Sequence, residues 1–280
     1  MKQLVFVRFM SDPAAVGAVV ILLLITLLAI FAPQVSPQSP IDPHYEKLLQ
    51  PPSRQHLMGT DNLGRDVFTR VAYGGRESLK VGVLAALISL LVGSSLGVTA
   101  GYHGGWLDEV IMRIIDIFMA IPGFVLALIV IATIGPGLTN VMIALAVSGS
   151  PAYARLARSL VLSTKGSEYV DAAMAVGASK LRIIGIHILP NIFPSLLVYT
   201  ALRVGTAILT AASLSFLGLG AQPPTPEWGA MLSDARNYIR EAWWMSVFPG
   251  LAIVITCLCI NLLGDSLRDI LDPKTVSTRK

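Results

Sequence analysis

Residues 167–190 read SEYVDAAMAVGASKLRIIGIHILP, and in a very hydrophobic chain this is the one interval that turns charged while keeping helical periodicity. Tyr169, Ala172, Ala173 and Val176 fall at i, i+3, i+4 and i+7, and Leu181, Ile184, Gly185 and Ile188 repeat the spacing. Two short amphipathic helices written back to back are therefore predicted. Gly177 lies between them and Ser179 is placed to cap the second. Lys165, Glu168, Asp171, Lys180 and Arg182 forbid burial in lipid, and Pro190 is expected to end the second helix where a long apolar run begins. The pair reads as a bracket on a membrane surface. Its small face, Ala172, Ala173 and Gly177, suits close approach by another protein's backbone, whereas a lipid anchor would use Leu, Phe or Trp with a basic polar face.

The surrounding composition puts that bracket in a membrane. Of 280 residues 54% are apolar and only 14% charged, against about 25% charged in soluble proteins. Mean hydropathy is +0.69. The net charge of +4 is small and no basic patch is interleaved with aromatics, which gives no sign of nucleic acid. Cys257 and Cys259 are two apart, point to different faces of a helix, and read as small hydrophobes.

Six stretches approach the roughly 20 apolar residues a spanning helix needs: 14–32, 79–102, 114–134, 138–154, 192–217 and 246–264. The fourth is the shortest and most polar. The first has Lys2 and Arg8 before it, but it is 19 residues long against roughly 7–15 for a signal-peptide core, with no A-x-A site after it, so a retained helix is expected. Six spans put both termini on one side. The tails and loops on that side hold twelve of the Lys and Arg residues and the opposite loops eight, five of these in one long segment that the positive-inside rule discounts. The termini and the bracket are thus expected in the cytoplasm. The chain divides into a first span with its external segment (1–78), a five-span core (79–273) carrying the loop 165–190, and a tail (274–280).

Gly93, Gly97 and Gly101 recur every four residues in the second span, the spacing that lets two helices pack closely in lipid. Pro122 should kink the third span. Asp108, Glu109, Arg113 and Asp116 gather near its inner end. Arg203 is the one basic residue deep within a span; it is expected either to line the translocation path and meet a substrate carboxylate, or to bridge to a carbonyl or partner subunit. In the external segment Asp61 and Arg65, and Asp66 and Arg70, are i, i+4 pairs that suit a short surface helix. Trp228, Trp243 and Trp244 suit a membrane interface, near a Pro- and Gly-rich stretch that should fold back as an external loop. No lysine follows a glycine, so no G-K-[ST] phosphate loop exists, and the four histidines are scattered.

Asp171, Ala172, Ala173, Gly177, Leu189 and Pro190 match the "EAA" loop of ABC-importer permeases, with Asp171 in place of Glu and His187 in place of an apolar residue. GTDNLGRD, 59–66, resembles the signature of dipeptide, oligopeptide and nickel importer permeases of the C type, as do 215–232 and 264–273. The resemblance runs from 8 to 273 and implies an all-α integral membrane protein of the type I ABC importer permease fold. Six transmembrane helices would carry a cytoplasmic coupling helix pair in a multi-pass protein of the bacterial inner membrane. It further implies ATPase docking through Glu168, Asp171, Ala172, Ala173, Gly177, Leu189 and Pro190, and contact with an external substrate-binding protein near Asp61, Arg65, Asp66 and Trp228. The implied partners are a second permease subunit, forming a heterodimer, and two ATPase subunits that bind the ATP and Mg; the chain itself is expected to bind no cofactor or metal and to be no enzyme. Peptides are the implied cargo, with glutathione or chelated nickel as alternatives. An ion-driven secondary transporter is the rival class, and it would want acids near the bilayer midplane, where none is found.

Overall fold

The computed structural model describes residues 12–271. The tail 274–280, Lys2 and Arg8 lie outside them, as do the positions of both chain ends.

Helix α1, Pro13–Ile30, starts on Asp12, whose Oδ1 accepts from the amides of Ala14 and Ala15 at 3.0 and 3.3 Å. A one-turn helix α2, Ala32–Val35, leads into an irregular segment over 36–66. There follow α3, Val67–His103; α4, Gly105–Ala120; α5, Gly123–Ile134; and α6, Leu138–Lys165. The bracket consists of α7, Glu168–Ala175, and the start of α8, Lys180–Phe216. The last helices are α9, Trp228–Ala235, and α10, Trp244–Leu271.

Helices α1, α3, α8 and α10 are each long and apolar enough to cross a membrane, and the pair α4 and α5 makes a fifth span if taken together. That pair is bent by 93°. Pro122 therefore does more than kink the third span: it splits it, because the ring removes an amide donor and drives the preceding Ile121 into extended backbone. The fourth expected span, α6, is too polar to pass the same test, and packing supplies the reason. Its Val141, Ala144, Gly149, Ser150, Tyr153, Ala154, Ala157 and Val161 are buried, and it packs against α3, α4, α5 and α8. Small and polar residues are admissible there because they meet protein, not lipid.

The glycine repeat is the seam of that packing. A Cβ on Gly93 or Gly97 would land on the carbonyl oxygens of Ser150 or Ala154 in α6, and one on Gly101 would stand 3.1 Å from the Arg158 oxygen. With lipid as apolar as leucine, backbone approach of this kind holds helices together. Helix α3 runs for 37 residues, about 55 Å at 1.5 Å per residue, so it begins twelve residues before the expected boundary at 79 and projects beyond the apolar layer. Arg76 on this projecting part donates from Nε and Nη2 to the carbonyls of Ala29 and Ile30 at 2.5 and 2.6 Å, capping α1.

Three clusters fill the interior. One, at the far end of α3, joins Tyr102, Val161, Val170, Ile183 and Ile188. A middle one joins Val81, Ala127, Val141 and Leu214. The third, where α3 begins, holds Val67, Val71, Trp228, Trp244 and Met245.

Adding one methyl group at the seam should push α3 and α6 apart. Gly97→Ala is expected to lower the unfolding temperature of the detergent-solubilised protein, at a cost of about 1–3 kcal/mol. Gly17→Ala in α1, where nothing lies within 4 Å of the new atom, should leave it unchanged or slightly raised.

Candidate functional site

The bracket grows directly out of the seam. At the end of α6 the Lys165 Nζ donates to the Tyr102 carbonyl at 2.7 Å and sits 5.2 Å from the centre of the Tyr102 ring, fixing the last turn of α6 to the last turn of α3. After Gly166, α7 makes two turns and stops at Val176. Gly177 takes φ +79, and the amides of Gly177 and Ala178 return to the carbonyls of Met174 and Ala173 at 3.0 and 3.1 Å. Ser179 then accepts from the Arg182 amide and α8 begins.

One feature of the bracket differs from the reading of its sequence, the course of the helix at Pro190. The stripe Tyr169, Ala172, Ala173, Val176 does not face the bundle: α7 is pinned through the neighbouring Val170, fully buried, and α8 through Ile183 and Ile188. Val176 and Leu181 are each 84% exposed, the most open large apolar side chains described. Glu168, Asp171, Ala172, Gly177, Leu189 and Pro190 are also exposed and Ala173 is half-buried, so the predicted docking positions are accessible. Pro190 does not end the helix. Residues Ile183–Ile188 are wound more loosely, with the Leu189 amide reaching back to the Ile184 carbonyl. The change of pitch falls at Leu189, leaving Pro190 in the first turn of the following α segment, where a missing N–H costs little. Bracket and span are one continuous helix.

At the opposite end of α3 lies a second constellation. Asp61, Arg65, Asp66 and Trp228 are only 4%, 4%, 6% and 1% exposed. Their side chains are therefore not surface contacts for a second protein, and the surface helix expected here is absent; residues 61–65 form a tight turn. Asp61 Oδ1 accepts from the amides of Leu63 and Arg65, both at 2.9 Å, while Oδ2 accepts from Arg65 Nε at 2.7 Å. Arg70 pairs with the same Oδ2, Nε at 3.4 Å, and not with Asp66. Asp66 is occupied elsewhere: it caps α3 through the Thr69 amide at 2.8 Å and meets His56 Nδ1 at 2.9 Å. Gly64, at φ +74, closes the turn hard against the His44 carbonyl.

Both buried tryptophans are locked by their indole N–H: Trp228 donates to the Val71 carbonyl and Trp244 to that of Thr60, each at 2.9 Å. Trp243 is half-exposed, as an interfacial residue would be. Gly74 and Gly75 leave room for the Trp228 ring. Glu227 is buried, and sequence reasoning missed it: its carboxylate accepts from Ser78 Oγ at 2.9 Å and from the amides of Gly229 and Ala230 at 3.0 and 2.9 Å, starting α9 and tying it to α3. An acidic residue just before a helix was the available signal.

Arg203 is half-buried on the wall of a cavity of about 360 Å³ between α3, α5, α6 and α8. Ser89, Ser148, Tyr153, Thr206 and Thr210 give that wall its polar groups, and Gly123 and Phe124 enter it just past the Pro122 break. The guanidinium faces the Tyr199 ring at 5.8 Å and pairs with no carboxylate among the described residues. The acids of α4 are taken up elsewhere: Asp116 meets Arg155 at 2.5 Å, Asp108 holds Arg158 through two 2.6 Å bonds, and Glu109 meets Arg113 at 3.1 Å. Among the described residues no group of three His, Cys, Asp or Glu could hold a metal ion.

A bundle of apolar helices with an exposed amphipathic bracket and an internal cavity carrying polar groups is the frame of a membrane permease. The chain belongs to the family of binding-protein-dependent transport system inner membrane components, whose model matches residues 93–277; residues 1–52 match the N-terminal transmembrane domain of oligopeptide transport permease C. It is 46% identical, over 97% of its length and 90% of the relative's, to the dipeptide transport system permease protein DppC of Alkalihalophilus pseudofirmus. It is 45% identical, over 96% of its length and 90% of the relative's, to the glutathione transport system permease protein GsiD of Pectobacterium atrosepticum. Among solved structures it is similar to the inward-facing MetNI methionine ABC transporter, with TM-score 0.59 and 20% identity over 72% of this chain and 97% of that one. The fold is that of a type I ABC importer permease, and the protein is a multi-pass inner-membrane subunit of such an importer.

Removing the Glu227 carboxylate should strand two helix-start amides and Ser78. Glu227→Ala is expected to destabilise the solubilised protein by about 1–3 kcal/mol, seen as a lower midpoint in thermal unfolding.

Proposed function

We propose that this chain forms one half of the translocation path for small peptides, paired with a second, non-identical permease subunit, and is driven through its bracket by two separate ATPase subunits that bind ATP and Mg. The observation that carries the reading is the outward-turned stripe of the bracket. An apolar, alanine-lined surface with Val176 and Leu181 projecting, flanked by Glu168 and Asp171, is pinned by Val170, Ile183 and Ile188 to the core of the bundle. It suits a protein groove, and rigid-body movement of that groove would be passed to α6 and α8 together.

On this reading the bracket and both chain ends lie in the cytoplasm and the 36–66 segment outside, where a substrate-binding protein delivers cargo. The buried Asp61, Arg65, Asp66 and Trp228 then hold the shape of the receiving surface from beneath. Arg203 is the path residue that meets a substrate carboxylate, in keeping with its unpaired charge in a polar-lined cavity. The relatives named for dipeptides and for glutathione share that requirement, since both cargoes carry carboxylates.

Replacement of Gly177 by Trp adds bulk to the docking face and strains φ +79. Peptide uptake by the reconstituted complex should fall by about ten-fold while membrane insertion persists; a fully active Gly177→Trp protein would count decisively against the bracket's role. Arg203→Leu in an assembled complex should weaken uptake of peptides with a free carboxylate by roughly ten-fold or more. Equal uptake of the free acids by both proteins would remove Arg203 from the path.

A further inference from the structure

Beneath the 36–66 segment lies a second cavity, about 230 Å³, walled by Asn62, Arg65, Arg70, Gln222 and Asp234. Its charges are arranged unequally. The Nε atoms of Arg65 and Arg70 share Asp61 Oδ2 at 2.7 and 3.4 Å, and Arg70 Nη1 donates to the Pro40 carbonyl at 2.8 Å. The two Nη2 atoms both point toward Asp234 Oδ2, but each stops 3.9 Å short, beyond hydrogen-bonding distance. Both guanidinium groups are more than nine-tenths buried, whereas Asp234 is 42% exposed. Each therefore keeps at least one strong donor directed into the cavity without an acceptor at bonding distance. Burial pushes the Asp234 carboxyl above the usual carboxylate range, against the pull of the Arg70 and Arg65 charges. On the same wall Asn62 Oδ1 is shielded from solvent and has no hydrogen-bond partner.

Two converging, pre-positioned guanidinium edges are the geometry that binds a carboxylate through parallel charge-assisted bonds. We infer that this cavity is a carboxylate site which takes the C-terminal end of a small peptide, with Arg65 Nη2 and Arg70 Nη2 on the carboxylate oxygens. The inference rests on the outward placement of the 36–66 segment proposed above. Asp234, the least buried member, occupies the approach and yields when the ligand enters. At about 30 Å³ per water, the volume corresponds to roughly eight waters, room for a terminal residue but not for a long chain. The cavity is separate from the one lined by Arg203, with no residue in common.

The test uses the full chain carrying Arg203→Leu, which removes the other proposed carboxylate contact, in lipid nanodiscs with no ATPase present, titrated with alanylalanine and with its C-terminal amide. The free acid should bind at least about ten-fold more tightly than the amide, and Arg70→Gln should abolish that difference. Because Arg70→Gln also disturbs a buried network, Asp234→Asn supplies the independent arm. This half-exposed change removes the competing charge and should tighten acid binding about five-fold without affecting the amide. Inorganic phosphate should compete only weakly; equal competition by phosphate would mark a general anion site and overturn the assignment to a peptide terminus. Equal affinity for acid and amide, or no response to Asp234→Asn, would equally overturn it. None of these readouts involves ATP hydrolysis, so their failure would leave the coupling role of the bracket standing.

Discussion

The close backbone contact of α3 with α6 at Gly93, Gly97 and Gly101 is the constraint on which the other features hang. Apolar surface earns no burial energy between helices already in lipid, so the bundle depends on how nearly two backbones can approach. Helix α3 carries the Asp61–Arg70 network at its start and Tyr102 at its end; α6 carries the bracket, and Lys165 binds the two ends together. The assembly is in effect a single strut with a polar device at each end. The bracket is integral to it, because α8 runs without interruption from Lys180 through the π-wound turn into the span.

The charge network obeys a different economy. Withdrawing Asp61, Arg65 and Arg70 from water is costly, and pairing in the interior seldom more than offsets it. What such a network does secure is geometry: Asp61 holds two guanidinium groups and two turn amides at once. The loop 36–66 has almost no regular structure, and these fixed polar contacts, with the Trp244 indole on the Thr60 carbonyl, reinforce its scattered backbone bonds.

Much of this was legible in the sequence, for identifiable reasons. Hydropathy located the apolar helices, and the four-residue interval of glycines announced the seam, because both are local patterns. Pro122 marked the break but not its 93° angle, which is set by what α5 packs against. The anchor of α7 was hidden because Val170 adjoins the apolar stripe and only the tertiary core reveals that it is the residue buried. The partner of Arg70 was hidden for a similar reason: Asp66, four residues back, is a helix cap held by Thr69 and His56, while Asp61 and the distant Asp234 are reached only through the fold. Trp228 and Trp244 have the composition of interfacial residues, yet each is drawn inward by a carbonyl acceptor.

The polarity of α6 bears on which surface it can show to lipid. Asn140, Ser148, Ser150 and Pro151 make it a poor segment to lie alone among acyl chains. Its small face is matched by the glycine face of α3, and Arg155 and Arg158 toward its C-terminal end are paired with Asp116 and Asp108 of α4. The segment is thus suited to a bilayer only as part of the bundle, shielded by its neighbours.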